Sequence, residues 1–237
     1  MLLATSVEAA DVLRAHNLVQ AGDERRQNGS NCGFLALLNL HPDKLGSVTA
    51  DELRRSVGAF LEDHPDRASK MFRADHLALY YPPTGEVPEF DLALDDMIQQ
   101  RKTSRKHTKA NPPAVDEAAV DEAAEAQALD AEKKVVRLSL ERVKNEYSST
   151  DKWLDDVGIK ILAERHDLQV LMVRNTKHDW TYFKPGQRTV GEVVRGRGRI
   201  NELILALKGV LRNKDNNHWV ACLPNTKKTN HKRRRGA

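Results

Sequence analysis

One cysteine in the sequence stands where a nucleophile could form. Residues 27–32 read Gln-Asn-Gly-Ser-Asn-Cys, and an apolar run from Gly33 to Leu40 follows directly. Asn, Gly and Ser favour turns and helix N-caps, so the pattern predicts that Cys32 lies in the first turn of a buried helix. Backbone N–H groups and the positive end of the helix dipole favour the thiolate there, and the thiolate is the nucleophilic form of cysteine.

Gln27 and His218 could complete a thiol active site. The side-chain amide of Gln27, on the loop entering the helix, and the backbone N–H of Cys32 would together give an oxyanion two hydrogen-bond donors. His218 opens the apolar stretch 218–223, where a strand would hold the imidazole as a general base and Trp219 would cover it. The other histidines stand in polar or loop contexts and are predicted to lie on the surface: His16, His41, His64, His76, His107, His166, His178 and His231.

Local patterns also predict the helices that would position these residues. Residues 49–52, Thr-Ala-Asp-Glu, form a capping box and predict a helix that runs to about residue 62. Ser149 and Thr150 are candidate caps of a later helix, which would carry Trp153 and Leu154 on its apolar face.

Strand patterns concentrate in the second half of the chain. Alternating or β-rich runs predict strands at 168–173, 180–183 and 218–223, and a helical pattern covers 200–211. The Arg-Gly run 195–199 predicts a flexible basic loop. Helices followed by strands predict an α+β fold with N-terminal helices and a C-terminal antiparallel sheet.

Composition divides the 237 residues into four segments. Residues 1–100 and 134–224 have globular patterning, and we interpret them as the helical half and the sheet-containing half of one catalytic domain. Residues 101–133 begin with a basic run and continue with alanine and acidic residues, which offer too little apolar area to hold a helix in place. This charged insertion is therefore predicted to be flexible or marginally helical.

Residues 225–237 form a basic tail with six Lys or Arg residues and no acid, so the rest of the chain is net negative although the total formal charge is +4. Such a cluster predicts binding to nucleic acid or to a nuclear import receptor. A solubilising, disordered end is the alternative interpretation.

Several classes of protein are disfavoured by what the sequence lacks. It contains no run of 18 apolar residues, no pattern typical of a secretory signal and only two cysteines. These absences predict an intracellular protein without a membrane span. The expected location is the cytoplasm, and the basic tail adds the nucleus as a second location. Neither metal-site spacing of Cys and His nor a phosphate-binding loop is present. The expectation is therefore no metal and no cofactor.

The motifs resemble those of the Josephin domain, the catalytic domain of a family of deubiquitinating cysteine proteases. Residues 24–32, Glu-Arg-Arg-Gln-Asn-Gly-Ser-Asn-Cys, with the helices at 32–40 and 49–62, resemble the N-terminal half of that domain. The second half agrees in order, with Trp-Leu-Asp-Asp at 153–156, a strand at 168–173 and a His-Trp pair starting a later strand. The resemblance covers roughly residues 16–62 and 150–224.

The resemblance implies a papain-like core and hydrolysis of isopeptide or peptide bonds at the C-terminus of ubiquitin or a ubiquitin-like modifier. Cys32 would be the nucleophile, His218 the base and Gln27 an oxyanion donor. The family orients its histidine with a later asparagine, for which Asn225 is the nearer candidate and Asn230 the other. If neither serves, the site is a Cys-His dyad or the chain is an inactive relative of the family.

Two alternatives remain open at the level of sequence. Cys32 can be read as a small buried core residue, because cysteines outside disulfides are often buried. The second alternative is that the chain is a catalytically inactive Josephin-like protein that docks ubiquitin or another protein, with a tail that binds nucleic acid.

Overall fold

The structure is a computed structural model that combines helices with one sheet, an α+β arrangement. It describes residues 18–20, 30–107, 118–174, 179–186, 191–197, 210–214 and 218–224. By contacts the chain divides into two compact units, which we call the first unit (Met1–Val57 with Ser149–Ala237) and the second unit (Gly58–Ser148). These bounds differ from the segments drawn from composition.

The helices of the described chain are α1 (Cys32–Leu40), α2 (Pro42–Leu45), α3 (Ala50–Asp63), α4 (Pro65–Met71), α5 (Ala74–Tyr80), α6 (Pro88–His107), α7 (Ala118–Ser148) and α8 (Asp156–His166). The strands are β1 (Leu18–Gln20), β2 (Val170–Arg174), β3 (Asp179–Lys184), β4 (Glu192–Arg197), β5 (Val210–Lys214) and β6 (His218–Pro224). Within these described residues no helix is long and apolar enough to cross a lipid bilayer.

The described strands of the first unit form one sheet in the order β1-β6-β5-β2-β3-β4. The predicted antiparallel pairing holds for every neighbouring pair except β2 and β5, which are parallel. The reason is topological: β2, β3 and β4 form a meander, and β5 then joins the free side of β2 in the same direction as β2. A parallel neighbour needs a crossover connection, which a hairpin pattern in the sequence does not reveal.

Two local predictions in this sheet are wrong. Val210 and Leu211 belong to β5 and not to a helix, while 200–209 lies outside the described residues. Arg195 lies in β4 rather than in a flexible loop, where it pairs with Thr181 of β3. The two valines that precede it in β4 are β-branched and favour the strand over a loop.

The helices of the first unit begin largely where the sequence predicts. Helix α1 is buried, with Phe34 and Leu37 fully inaccessible to solvent, and it packs against β6. The capping box is confirmed at α3: the Thr49 N–H donates to Glu52 Oε2 at 2.7 Å, and the Glu52 N–H donates to Thr49 Oγ1 at 3.2 Å.

The start of α8 differs from the prediction. Its cap is Asp155, whose Oδ1 accepts hydrogen bonds from the N–H groups of Val157 and Gly158 at 3.0 Å each. The carboxylate caps the helix five residues after Thr150, so Leu154 lies in the irregular segment before α8 and not on the helix. Placed there, the Leu154 carbonyl is open to a side chain from another element.

A carboxylate on α8 also fixes the end of the β3–β4 hairpin. Glu164 is 8% exposed and accepts hydrogen bonds from the N–H groups of Gly186 at 3.2 Å and Gly191 at 3.3 Å. One turn earlier on α8, burial lowers the pKa of Lys160 to about 8, although the nearby Glu164 acts in the opposite direction. Hydrogen bonds to Glu164 thus join α8 to the residues that follow β3 and precede β4.

In the residues that the structure describes, the second unit consists of helices joined by short loops, with no strand among them. Helix α7 packs against α6, α5 and α4, and Val135, Val143 and Tyr147 of α7 are buried. The predicted insertion 101–133 is helical in its described parts, since α6 runs to His107 and α7 begins at Ala118. The predicted segment boundary at residue 133 therefore falls inside one helix, whose later turns supply the buried area that the alanine-rich part lacks.

Candidate active site

Cys32 is the first residue of α1, as predicted. Its side chain is 2% exposed, and neither it nor Cys222 forms a disulfide. Asn31 precedes it at the N-cap position, and the Leu35 N–H donates to the Asn31 carbonyl at 3.0 Å to close the first helical turn. The burial is compatible with both interpretations of Cys32, as a nucleophile under a cover and as a small core residue.

The residue after Cys32 lies in contact with the residue after His218. A Cβ atom added at Gly33 would lie 3.1 Å from Trp219 Cδ1 and 2.7 Å from Leu154 Cβ, which is too close for any side chain. The Trp219 Nε1 donates to the Leu154 carbonyl at 2.8 Å, and the indole is buried. Because consecutive Cα atoms are about 3.8 Å apart, this contact brings the backbone of His218 close to the start of α1.

The predicted site residues differ in how far the structure describes them. His218 is the first residue of β6, and its backbone is paired in register with Lys214 of β5. Gln27 and Asn225, and with them Asn230, lie outside the described residues. The structure therefore bears on the Cys32 and His218 segments, and the roles of the three amide side chains stay predictions.

Among the other histidines that the structure describes, His41 is buried and His76 and His166 are half-buried, whereas the prediction placed all of them on the surface. His41 is 3% exposed, but it caps the C-terminal end of α1, about 13 Å along the helix axis from Cys32. His166 Nε2 lies 3.1 Å from Ser56 Oγ, and burial, with a smaller contribution from Arg165, lowers the pKa of its imidazole. His41 is too distant along α1 to act on the thiol, and His166 is engaged with Ser56 at the far end of α8.

A buried arginine that the sequence analysis did not single out lies beside the loop before Cys32. Arg54, on α3, is 2% exposed, and its Nη2 donates to Ser30 Oγ at 2.9 Å and to Asn31 Oδ1. Its guanidinium carbon lies 4.5 Å from the ring centroid of Phe34, in the first turn of α1. The sequence did carry a signal for this residue, since Arg54 precedes the apolar positions Val57 and Leu61 at helical spacing and so falls on the buried face of α3.

Residues 149–154 form a wall along the same loop. Arg54 Nη1 donates to the carbonyls of Lys152 and, at 3.3 Å, of Ser149, and the Ser30 hydroxyl donates to the Thr150 carbonyl. The wall ends at Leu154, which contacts Gly33 and Trp219. The segments that carry Cys32 and His218 and the wall therefore meet at the start of α1.

Among the residues that the structure describes, no group of three or more His, Cys, Asp or Glu side chains could hold a metal ion. Comparisons with protein-family models, with curated proteins and with solved structures gave no match.

Proposed function

We propose that this chain is a papain-like thiol hydrolase that cleaves isopeptide or peptide bonds at the C-terminus of ubiquitin or a ubiquitin-like modifier. The observation that carries the proposal is the contact of Gly33 with Trp219, since it joins the chain neighbours of Cys32 and His218 across some 185 residues of sequence. The resemblance of residues 24–32 to the Josephin motif supplies the substrate class.

The proposed reaction needs the thiol, one base and two hydrogen-bond donors. His218 accepts the Cys32 thiol proton, and the thiolate attacks the carbonyl carbon of the scissile bond. The oxyanion accepts hydrogen bonds from the Cys32 N–H and the Gln27 amide. When the C–N bond breaks, the His218 imidazolium gives its proton to the leaving amine. A water deprotonated by His218 then attacks the thioester, which releases the modifier's carboxylate and restores the thiol.

Hydrolysis of ubiquitin carrying a C-terminal fluorogenic amide tests the reaction. We expect turnover by the wild-type chain and by Cys222→Ser, because Cys222 is fully buried within β6. Cys32→Ala and His218→Ala should each abolish measurable turnover while the protein stays folded, as judged by circular dichroism. Turnover that survives Cys32→Ala would assign the reaction to another group.

The orienting amide is tested by the same assay. A base whose second nitrogen is held by a neighbour loses less activity when that neighbour is removed than when the base itself is removed. Asn225→Ala should therefore lower kcat less than His218→Ala, and more than Asn230→Ala. Wild-type activity in both asparagine variants would indicate a Cys-His dyad.

The burial of Cys32, which is 2% exposed, also fits a second candidate function. A catalytically inactive protein would dock ubiquitin or another protein through a Josephin-like surface, with the basic tail binding nucleic acid or an import receptor. Binding of ubiquitin in a titration calorimeter, without turnover of the fluorogenic substrate and without alkylation of Cys32 in the folded protein, would support this candidate over hydrolysis.

A further inference from the structure

Arg54 is a cation that the first unit buries next to the residues before Cys32. Burying a guanidinium removes it from water, a cost that proteins accept when its donors are satisfied by hydrogen bonds. The two terminal nitrogens of Arg54 serve opposite sides: Nη2 donates to Ser30 and Asn31, and Nη1 donates to the wall at Ser149 and Lys152. The guanidinium of Arg54, with its two terminal nitrogens as a fork, therefore fixes the distance between the wall and Ser30–Asn31, which we call the Cys32 loop.

The Asn31 side chain is bound to Arg54 and not to the start of α1. Asparagine is among the best N-cap residues, and at an N-cap its side-chain oxygen ordinarily accepts from a backbone N–H of the first turn. Here the Asn31 side chain makes no capping bond, and its backbone has φ −85° and ψ −6°, not the extended conformation usual for a cap. Its oxygen accepts from Arg54 instead, and its nitrogen donates to Asp51 Oδ1 at 3.4 Å.

We propose that Arg54 is a positioning residue for Cys32, which keeps the Asn31 side chain off the N-terminus of α1 so that the first-turn N–H groups act on the thiolate and the oxyanion. The inference rests on the proposed function, because it gives the start of α1 the role of an active site. Arg54 itself acts through Asn31 and Ser30 and through the stacking of its guanidinium on Phe34.

The test measures the pH dependence of Cys32 alkylation by iodoacetamide in the full chain with Cys222→Ser as background. Arg54→Lys keeps the charge but loses the fork, so that Asn31 is released to cap α1. We expect the pH midpoint of alkylation to rise by about half a unit to one unit, because the cap competes for the N–H groups that favour the thiolate.

A rescue separates positioning from a purely structural role. Asn31→Ala removes the side chain that would cap α1, so the double variant Arg54→Lys/Asn31→Ala should return the midpoint to the wild-type value, although it lacks two native contacts. If the role of Arg54 were only structural, the opposite is expected: the alkylation midpoint of the double variant would be shifted at least as far as that of Arg54→Lys. Arg54→Gln, which buries no charge, replaces Arg54→Lys in the same comparison if the lysine variant does not fold.

Thr49→Ala is the matched control, because it weakens α3, the helix that carries Arg54, at its capping box, while Thr49 makes no contact with the Cys32 loop in these hydrogen bonds. Its alkylation midpoint should equal that of the wild type. The proposal is overturned if Arg54→Lys leaves the midpoint unchanged, if the double variant stays at the Arg54→Lys value, or if the wild-type Cys32 is inert at every pH at which the protein is folded.

Turnover is a separate arm of the experiment. With fluorogenic ubiquitin, Arg54→Lys should lower kcat about tenfold and change KM less than twofold, as expected when an orienting contact behind the reacting groups is lost. If the wild type alkylates normally but does not turn over ubiquitin, the proposed function fails, while the midpoint shift and its rescue still decide the role of Arg54.

Discussion

Helices α1 and α8 begin in opposite ways within the same unit. At the start of α8, Asp155 has an extended backbone, φ −127° and ψ −175°, and its carboxylate accepts from two N–H groups of the first turn. At the start of α1, Asn31 has a helical backbone and its side chain is directed to Arg54 and Asp51 instead of the helix. One start is capped by its own N-cap side chain, and the other is not.

The difference between the two helix starts shows that an N-terminus can be arranged for stability or for another role. A capped N-terminus satisfies backbone donors and stabilises the helix, which is sufficient for α8 and for the capping box of α3. At the start of α1 the Asn31 side chain makes no such contribution, because it is bound to Arg54 and Asp51. A local loss of stability is typical of functional sites, where groups are arranged to act on a ligand or a reacting atom.

The largest expected effect comes from filling the close contact at the start of α1. Gly33→Ala places a methyl group against Leu154 and Trp219, and we expect it to lower the free energy of unfolding by about 2–3 kcal/mol and to abolish turnover. Urea denaturation measures the first effect, and the fluorogenic assay measures the second.

Gly58 of α3 is the matched control, since a Cβ there would meet only Lys144 Cγ at 3.8 Å. Gly58→Ala should raise the free energy of unfolding by about 0.5–1 kcal/mol, because alanine loses less backbone entropy in a helix. Equal stability of the two alanine variants would show that the close contact at Gly33 is absent. The contact that joins the Cys32 and His218 segments would then be absent as well.

A smaller effect is expected at the capped start of α8. Asp155→Ala should lower the free energy of unfolding by about 1 kcal/mol, whereas Asp155→Asn should keep most of it because asparagine also caps. Thermal denaturation of the two variants checks the order. If Asp155→Ala were neutral, the stabilisation assigned to this cap, and hence the contrast with α1, would not hold.

The smallest effect is a pH dependence at the capping box of α3. The hydrogen bonds from the Thr49 backbone and side chain lower the pKa of Glu52 below its usual 4.5. Its contribution to stability is therefore fully present above pH 4.5 and is lost as the pH falls through the folded pKa. Glu52→Gln should be less stable than the wild type at neutral pH and should converge with it in acid, as followed by urea denaturation at several pH values.

Local sequence signals were sufficient for features that depend on neighbouring residues. The start of α1 at Cys32 and the capping box at 49–52 follow from residue types a few positions apart. The cap of α8 was missed although its signal is equally local, because Ser149 and Thr150 offered an earlier candidate. Only the hydrogen bonds of Asp155 decide between them.

Features that depend on distant segments could not be predicted in the same way. Arg54 and Arg55 are the same residue type side by side, yet Arg54 is buried against Ser30 and the 149–152 wall while Arg55 is exposed. The parallel pairing of β2 with β5 likewise depends on a crossover that leaves no short-range pattern. The periodicity of α3 places Arg54 on the buried face but does not name its partners.

The central claim, a nucleophilic thiol at the start of α1, is tested most directly by ubiquitin with a C-terminal vinyl electrophile. We expect a single covalent adduct, mapped to Cys32 by peptide mass spectrometry. The adduct should form in Cys222→Ser, and it should be absent in Cys32→Ala and strongly slowed in His218→Ala. A folded wild-type chain that forms no adduct, or forms it at Cys222, would contradict the account.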